Sequence, residues 1–468
     1  MLGLAAGFVP RFLPDDRSGE ARCVYSPSTA RKDGTVVHIP ASIQAQAFLS
    51  ERRRFEIADA RRREIHGREI LSLFRVPSEN GSGLEDDIVA EAFFFLSLHD
   101  EWSSIERDAF DRFPAAASLL GRLNLLHRPV VAEYAALLGA LLKNAGCELR
   151  ETGRYDGRDW AVCLTHDIDY LSKFTPGFAW REVYRKLLRN EDGLPLGRRL
   201  ARFARYAGAF AARRDPPAVT LLRILDAEKR FGSKATFFFK AGAEDKRDES
   251  YSLRSRVVRR ALAEISSEGH EAALHPSFRT HTDGRMLARE LAFFRSAASL
   301  KPASVRQHYL RFRYPETWRI QENTGFTIDS TLGFAEREGF RNGCVHPFLP
   351  YDREAGRVLG VWEMPLHVMD GTLRDYRRLN AEEAAASIRG LAGQAAEYRG
   401  TCSMLFHNLI YDRDEYPGWP EVFEYWADPS RHGAFCGACR DTLSVWLNSL
   451  GINDTAEVRK LILDGKMP

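Results

Sequence analysis

Four stretches of this 468-residue sequence gather side chains that could hydrolyse a bond at neutral pH. Thr165-His-Asp-Ile-Asp169 carries two carboxylates and an imidazole. His275-Pro-Ser-Phe-Arg-Thr-His281 carries two imidazoles, Arg306 and His308 stand together further on, and His407-Asn408 comes last. Carboxylates and imidazoles can hold a divalent ion or move a proton, and an arginine supplies a fixed positive charge. Brought to one place, they form the constellation expected of a hydrolytic metal site.

Each group follows a short apolar run that reads as a strand. Trp160-Ala-Val-Cys-Leu-Thr165 precedes the first, and His270-Glu-Ala-Ala-Leu274 the second. Ser304-Val-Arg-Gln-His-Tyr-Leu310 contains the third, and Cys402-Ser-Met-Leu-Phe406 precedes the last. Ala235-Thr-Phe-Phe-Phe239 and Val361-Trp-Glu-Met-Pro-Leu-His367 are further strand-like runs. Between them the spacing predicts helices over Val219–Phe231, Leu253–Ser267 and Met286–Ser299, and a longer one opened by Asn380 with Glu383 as a capping box. Strand-then-helix repetition implies an α/β fold with a parallel sheet, open or closed into a barrel. In such folds functional groups sit where strands end and loops begin.

The first 150 or so residues mix a strand-like piece, Thr35-Val-Val-His-Ile39, with a buried apolar run at Ala90–Ser97 and a helix at Pro129–Leu142. A polar, glycine-bearing connector near residues 150–157 ends this unit. The expected division is an N-terminal mixed α/β domain over 1–155, a barrel over 156–425 with a basic helical insertion at 178–216, and a helical tail over 426–468. With 44% apolar and 28% charged residues the chain is globular, and a net charge of +3 gives no field that points to nucleic acid. Seven scattered cysteines argue against a secreted disulfide framework. The N-terminal segment Met1–Pro10 lacks a basic leader, and no apolar run is long enough to span a membrane. A cytoplasmic location is expected.

At these residues the chain resembles the polysaccharide deacetylase superfamily, the NodB-homology or carbohydrate esterase 4 family. The matching pieces are Leu164-Thr-His-Asp-Ile-Asp169, Lys234-Ala-Thr-Phe-Phe-Phe239, Gly269-His-Glu-Ala-Ala-Leu-His275, Val305-Arg-Gln-His308 and Met404-Leu-Phe-His407, in the family's order. Upstream, Phe93-Phe-Phe-Leu-Ser97, Asp111-Arg-Phe-Pro114 and Arg128-Pro-Val-Val131 look like the extra N-terminal domain of one bacterial subgroup. The resemblance implies a distorted (β/α) barrel that removes an N-acetyl or O-acetyl group from a sugar of a surface polysaccharide or glycolipid, with a divalent metal ion, zinc being expected.

It also implies roles. Asp167 aligns with the general base and His275 with a metal ligand, and Asp169, one residue on, and His281, the next histidine after the family's position, are expected to complete the ligand set. Arg306 would hold Asp167 ionised and oriented, and His407 would protonate the departing amine. Two departures stand out: Ile168 separates carboxylates that are adjacent in the family, and Arg279 occupies the position four residues after His275 where the family has its second histidine. A cap on the next segment is the alternative for Asp169, a surface histidine for His281, a satisfied core histidine for His407 and a structural ion pair for Arg306. His166 is a substitute ligand or a hydrogen-bonding neighbour of the ligands, and His308 and His367 are pocket-lining candidates.

The stretch Arg181–Arg214 interleaves basic residues with Tyr184, Leu187, Leu188, Leu200, Phe203 and Tyr206. Either it is a solvated helical pair that packs its apolar side, or it meets an anionic glycan, a lipid-linked sugar or a membrane surface. Cys436-Gly-Ala-Cys439 lacks the context of a redox or zinc motif and reads as structural. Two functions remain open: a metal-dependent deacetylase acting on an acetylated carbohydrate, or a non-catalytic glycan-binding or assembly protein with incomplete ligation.

Overall fold

The computed structural model describes residues 23–26, 36–76, 84–147, 149, 155–169, 171–174, 179–191, 193–212, 216–248 and 251–452. Met1–Pro10, most of the connector at 150–154 and the end of the expected tail, 453–468, lie outside the described residues.

In the N-terminal part, β1 (Cys23–Ser26) runs parallel to β2 (Val37–Pro40), and β3 (Arg61–Ile65) pairs antiparallel with β4 (Arg68–Ser72). The helices Ile43–Ser50 and Ile88–Leu96 start at Ser42 and Asp87, whose side chains accept hydrogen bonds from the Ala45 and Ala90 amides. A third helix, Val130–Asn144, completes the layer. Phe48, Phe55, Phe74 and Phe94 meet at its centre with ring centroids 5.6–6.5 Å apart.

The larger sheet is built from β5 (Ala161–Ile168), β6 (Thr236–Lys240), β7 (Glu271–His275), β8 (Ser304–Val305) and β9 (Ile328–Asp329). After a small antiparallel hairpin, β10 (Tyr351–Asp352) with β11 (Arg357–Val358), come β12 (Trp362–Glu363), β13 (Val368–Met369), β14 (Thr401–Leu405) and β15 (Phe435–Gly437). The strand order is β12-β9-β8-β7-β6-β5-β14-β13, with β15 also on β5, and every pairing in it is parallel. Its two end strands, β12 and β13, are joined directly by Met364–His367. Such a linker reaches about 17 Å at most, whereas eight strands lying flat would hold their edges about 34 Å apart. The sheet must therefore curl until its edges approach, which makes it a distorted, open (β/α) barrel.

Pro365 explains the seam. The sequence pattern predicts one strand over Val361–His367, but a proline lacks the amide a ladder needs, and the run ends its pairing at β12, with β13 starting just beyond it on the opposite edge. The expected strand Ser304–Leu310 is likewise short. Arg306 N donates to Leu274 O, after which the chain turns through His308–Leu310 with Tyr309 at φ 61°.

Apolar residues are buried on both faces of the sheet. Phe237 and Phe239 pack with Leu164, Ile224 and Ile265 under the helices, while Phe238 points inward with Cys163, Ala273 and Trp362. The helix Cys439–Ser449 inserts Leu443 and Trp446 into that inner cluster. Residues 426–452 are thus more than a helical tail, since β15 extends the sheet and this helix fills its interior. The insertion after β5 forms the turns Arg181–Leu188 and the helix Leu196–Ala211 ahead of the helix Pro216–Phe231.

Candidate metal centre

Strand alternation aims the first motif. Successive side chains of an extended chain point to opposite faces, so Thr165 and Asp167 turn inward and both meet Arg306 Nη1, at 2.8 and 3.0 Å. His166 turns outward, with Nε2 2.9 Å from Glu228 of the helix Pro216–Phe231 and Nδ1 2.8 Å from the Phe406 carbonyl. The intervening Ile168 therefore returns Asp169 to the inner side beside Asp167. The spacing that departs from the adjacent pair is one that an extended strand needs.

Asp169, His275 and His308 form the one group of three among the described residues whose ligand atoms all lie within 4.8 Å of one another. Asp169 Oδ1 is 3.3 Å from His275 Nε2 and 3.7 Å from His308 Nε2. It is buried and accepts no hydrogen bond of good geometry. His275 Nδ1 faces the Arg306 carbonyl at 2.6 Å, and His308 Nδ1 faces Asp248 at 2.7 Å. Both partners only accept, so Nδ1 carries the proton in each ring and a neutral ring offers a lone pair at Nε2. Burial, ahead of its other neighbours, lowers the His308 pKa and favours that neutral form. With both rings neutral, two lone pairs and a carboxylate oxygen converge within 4.8 Å, a donor set that fits a divalent cation. Burial raises the Asp169 pKa, but His275, His308 and His407 outweigh it and hold the carboxyl well below its usual range.

Asp167 and His407 flank this group. Arg306 is fully buried, fixed by the Ser330 carbonyl and hydroxyl at 2.8 Å each, and lies over the Phe238 ring at 4.4 Å. It holds Asp167 Oδ1, while Oδ2 stands 3.6 Å from His275 Nε2. His407 follows β14 and bonds twice to Asp370, from Nδ1 at 2.5 Å and from its own amide at 2.9 Å. Its Nε2 is 3.5 Å from Asp169 Oδ2. Burial opposes charge on His407, yet Asp370, Asp169 and Asp167 prevail and push its pKa up to about 10. The ring is a cation near neutrality, with Nε2–H turned into the site. Asp169 and His407 side chains are 23% and 21% exposed, against 2% for His275 and 7% for His308, so the centre opens on the Asp169–His407 side.

Residues 19–146 match a family of unknown function, DUF7033. No curated protein matches the sequence. Among solved structures the chain is similar to a putative polysaccharide deacetylase from Mycobacterium smegmatis, at 16% identity and a TM-score of 0.41 over 67% of this chain and 93% of that one. A probable polysaccharide deacetylase from Pseudomonas aeruginosa PAO1 aligns at 13% identity and a TM-score of 0.42, over 64% and 95% of the two chains. A CE4 family pseudoenzyme from Bacillus anthracis aligns at 12% identity and a TM-score of 0.31, over 60% and 65%.

His281, expected as a ligand, lies elsewhere. It sits in the turn Thr280–Thr282 with Nε2 3.5 Å from Asp111 of the N-terminal part, and burial beside Arg311 lowers its pKa to about 4. After β7 the chain turns through Pro276–Phe278, which carries the second imidazole away from Asp169. His308, expected only to line the pocket, takes the place beside His275 because β8 is the neighbour of β7. His166 faces the helix layer and is no substitute ligand. Both ring nitrogens of His367 are engaged, by the Cys344 carbonyl and the Ser403 amide at 3.1 Å each. Cys436 and Cys439 point apart, Cys436 toward the Trp426 carbonyl and Cys439 to within 3.6 Å of Cys163.

Three contributors escaped the sequence reading. Asp370 follows β13 and satisfies the strand-end rule, but the seam at Pro365 hid where that strand ends. Asp248, which orients His308, lies in a loop with no periodic signal. Lys240, the last residue of β6, is 2% exposed with Nζ 3.4 Å from His308 Nε2 and 3.8 Å from Asp248.

Proposed function

We propose that the protein is a metal-dependent hydrolase that removes an acetyl group from an acetylated sugar of a surface polysaccharide or glycolipid. One observation carries this reading: Asp169, His275 and His308 bring three ligand atoms within 4.8 Å of one another, flanked by a carboxylate held by arginine and an imidazolium held by Asp370. A divalent cation bound by the three would polarise the acetyl carbonyl and lower the pKa of water there. The chain's own groups do the rest. Asp167, positioned through Oδ1 by Arg306, accepts the proton of the attacking water at Oδ2. His407 delivers the Nε2 proton to the departing amine, and Asp370 keeps that ring in its donating orientation. The scattered, odd-numbered cysteines favour the cytoplasm as the site of action.

Lys240 favours a second reading, in which the protein binds a glycan without hydrolysing it. Its buried ammonium can donate to the His308 Nε2 lone pair and so compete with a cation for that ligand. Metal content of the purified protein together with acetate release from acetylated sugars separates the two readings. Bound zinc with acetate release upholds the hydrolase, and a protein that takes up no divalent metal and releases no acetate overturns it.

A further inference from the structure

The helix Leu196–Ala211 docks on the barrel with its polar side. Its one buried residue is Arg202, which reaches Glu415 at 2.7 Å and Glu182 at 3.1 Å. Arg205 pairs with Asp414, and the Tyr206 hydroxyl donates to the Lys173 carbonyl at 3.0 Å. Lys186, on the preceding turns, also pairs with Glu415 at 2.7 Å. Leu196, Leu200, Phe203, Ala207 and Phe210 fall within about 80° of one another on the helix, away from Arg202 and Arg205. Leu196, Leu200 and Phe210 are 51–59% exposed, and on the preceding turns of the same insertion Trp180 and Leu188 are 59% and 66% exposed. A surface helix of a globular protein normally buries such a stripe. Here Arg202 is turned in and the apolar residues out, although Phe210 touches Phe174 with ring centroids 5.1 Å apart.

We propose that this face, with Trp180 and Leu188, docks the protein on an anionic lipid bilayer. The insertion that carries the stripe is basic: Arg185, Arg189, Arg198 and Arg205 are exposed among its described residues, with Arg185 paired to Glu191 and Arg205 to a partly exposed Asp414. Leucines and phenylalanine on one face, an exposed tryptophan and an arginine-rich insertion behind them form the pattern of an interfacial segment, with the apolar side in the acyl boundary and the cations drawn to anionic headgroups. A second copy of this chain on the same face would bring the two sets of arginines together, whereas an anionic surface neutralises them. No helix among the described residues is long and apolar enough to cross a membrane, so the contact is peripheral. The insertion leaves the sheet just after Asp169 and is anchored on 414–415 just after His407, so docking sets the open side of the metal centre near the lipid surface. The proposal does not depend on catalysis, since a metal-free protein would dock equally.

The test is flotation of the full chain with vesicles of phosphatidylcholine alone and of phosphatidylcholine with phosphatidylglycerol, beside its oligomeric state in solution. Wild type should float with the anionic vesicles, less with neutral ones, and less as salt is raised. Leu200→Glu with Phe210→Glu should lower the bound fraction about tenfold or more with Tm unchanged. Leu196→Ser with Phe210→Ser serves in its place should the glutamates lower Tm. The proposal is overturned by wild type that ignores anionic vesicles, by variants that float as wild type does, or by a wild-type dimer that these variants dissociate without any vesicle binding.

Discussion

Lys240 Nζ stands 3.4 Å from His308 Nε2, the nitrogen turned toward Asp169. A buried ammonium so close to a ligand atom opposes a cation electrostatically and offers that lone pair a proton. Replacing it with an uncharged chain of similar length should strengthen metal binding. Lys240→Met is expected to tighten zinc affinity by about tenfold, read in a competition titration against a chelator. Unchanged or weaker affinity would show that Lys240 neither competes nor repels.

The ligand set is tested by pairs of variants. His308→Ala and His275→Ala should each abolish stoichiometric zinc, because two remaining ligands hold it poorly against water. His281→Ala should keep full metal content, since that ring faces Asp111 and Arg311. Elemental analysis of the three proteins decides, and zinc lost from the His281 variant but kept by the His308 variant would restore the original assignment.

Asp167→Asn retains size and the contact to Arg306 but cannot accept a proton. Its kcat on acetamido sugars should fall by about 10²–10⁴-fold with metal content unchanged. Initial acetate release at matched metal loading is the measurement, and wild-type rates would remove Asp167 from the mechanism.

His407 and Asp370 should act together on the leaving group. His407→Ala should slow hydrolysis of an acetamido sugar far more than that of an activated acetyl ester, whose alcohol leaves without a proton. Asp370→Asn removes the charge that holds the imidazolium and should show the same substrate-dependent pattern in milder form. Equal losses on both substrates would reject His407 as the proton donor.

Glu415 ties the basic insertion to the barrel through Lys173, Lys186 and Arg202. Burial raises its pKa, yet these three cations outweigh it and hold the folded value well below the usual carboxylate range. A depressed folded pKa stabilises the fold at every pH above the unfolded value of about 4.3, and the contribution is lost as pH falls from there through the folded value. Glu415→Gln should therefore lower Tm at pH 7 by several degrees and converge with wild type as the acid limb is reached. Thermal unfolding from pH 7 to pH 3 checks this, and a constant difference across that range would count against it.

Much of the barrel was legible in the sequence because its signals are local. Apolar runs bounded by turn residues show where β5, β6, β7 and β14 lie, and Asn380 with Glu383 forms the capping box expected of the helix Ala381–Glu397. The rule that chemistry collects at strand ends singled out Asp167, Asp169, His275, Arg306 and His407, all of which the fold brings to one rim. His308 against His281 could not be decided the same way. Both lie near a strand end, and only the adjacency of β7 and β8 selects between them.

Residues a few positions apart were enough to show the order of β5, β6, β7 and β14 with the helices between them, and the amphipathic pattern of the insertion. Only the folded chain settles which imidazoles meet, that Lys240 crowds one of them, that Asp370 backs His407, and that the helix Leu196–Ala211 turns Arg202 inward and Leu196, Leu200 and Phe210 outward. These depend on contacts between residues distant in the chain, and a periodicity can mark two faces of a helix without saying which one finds a partner.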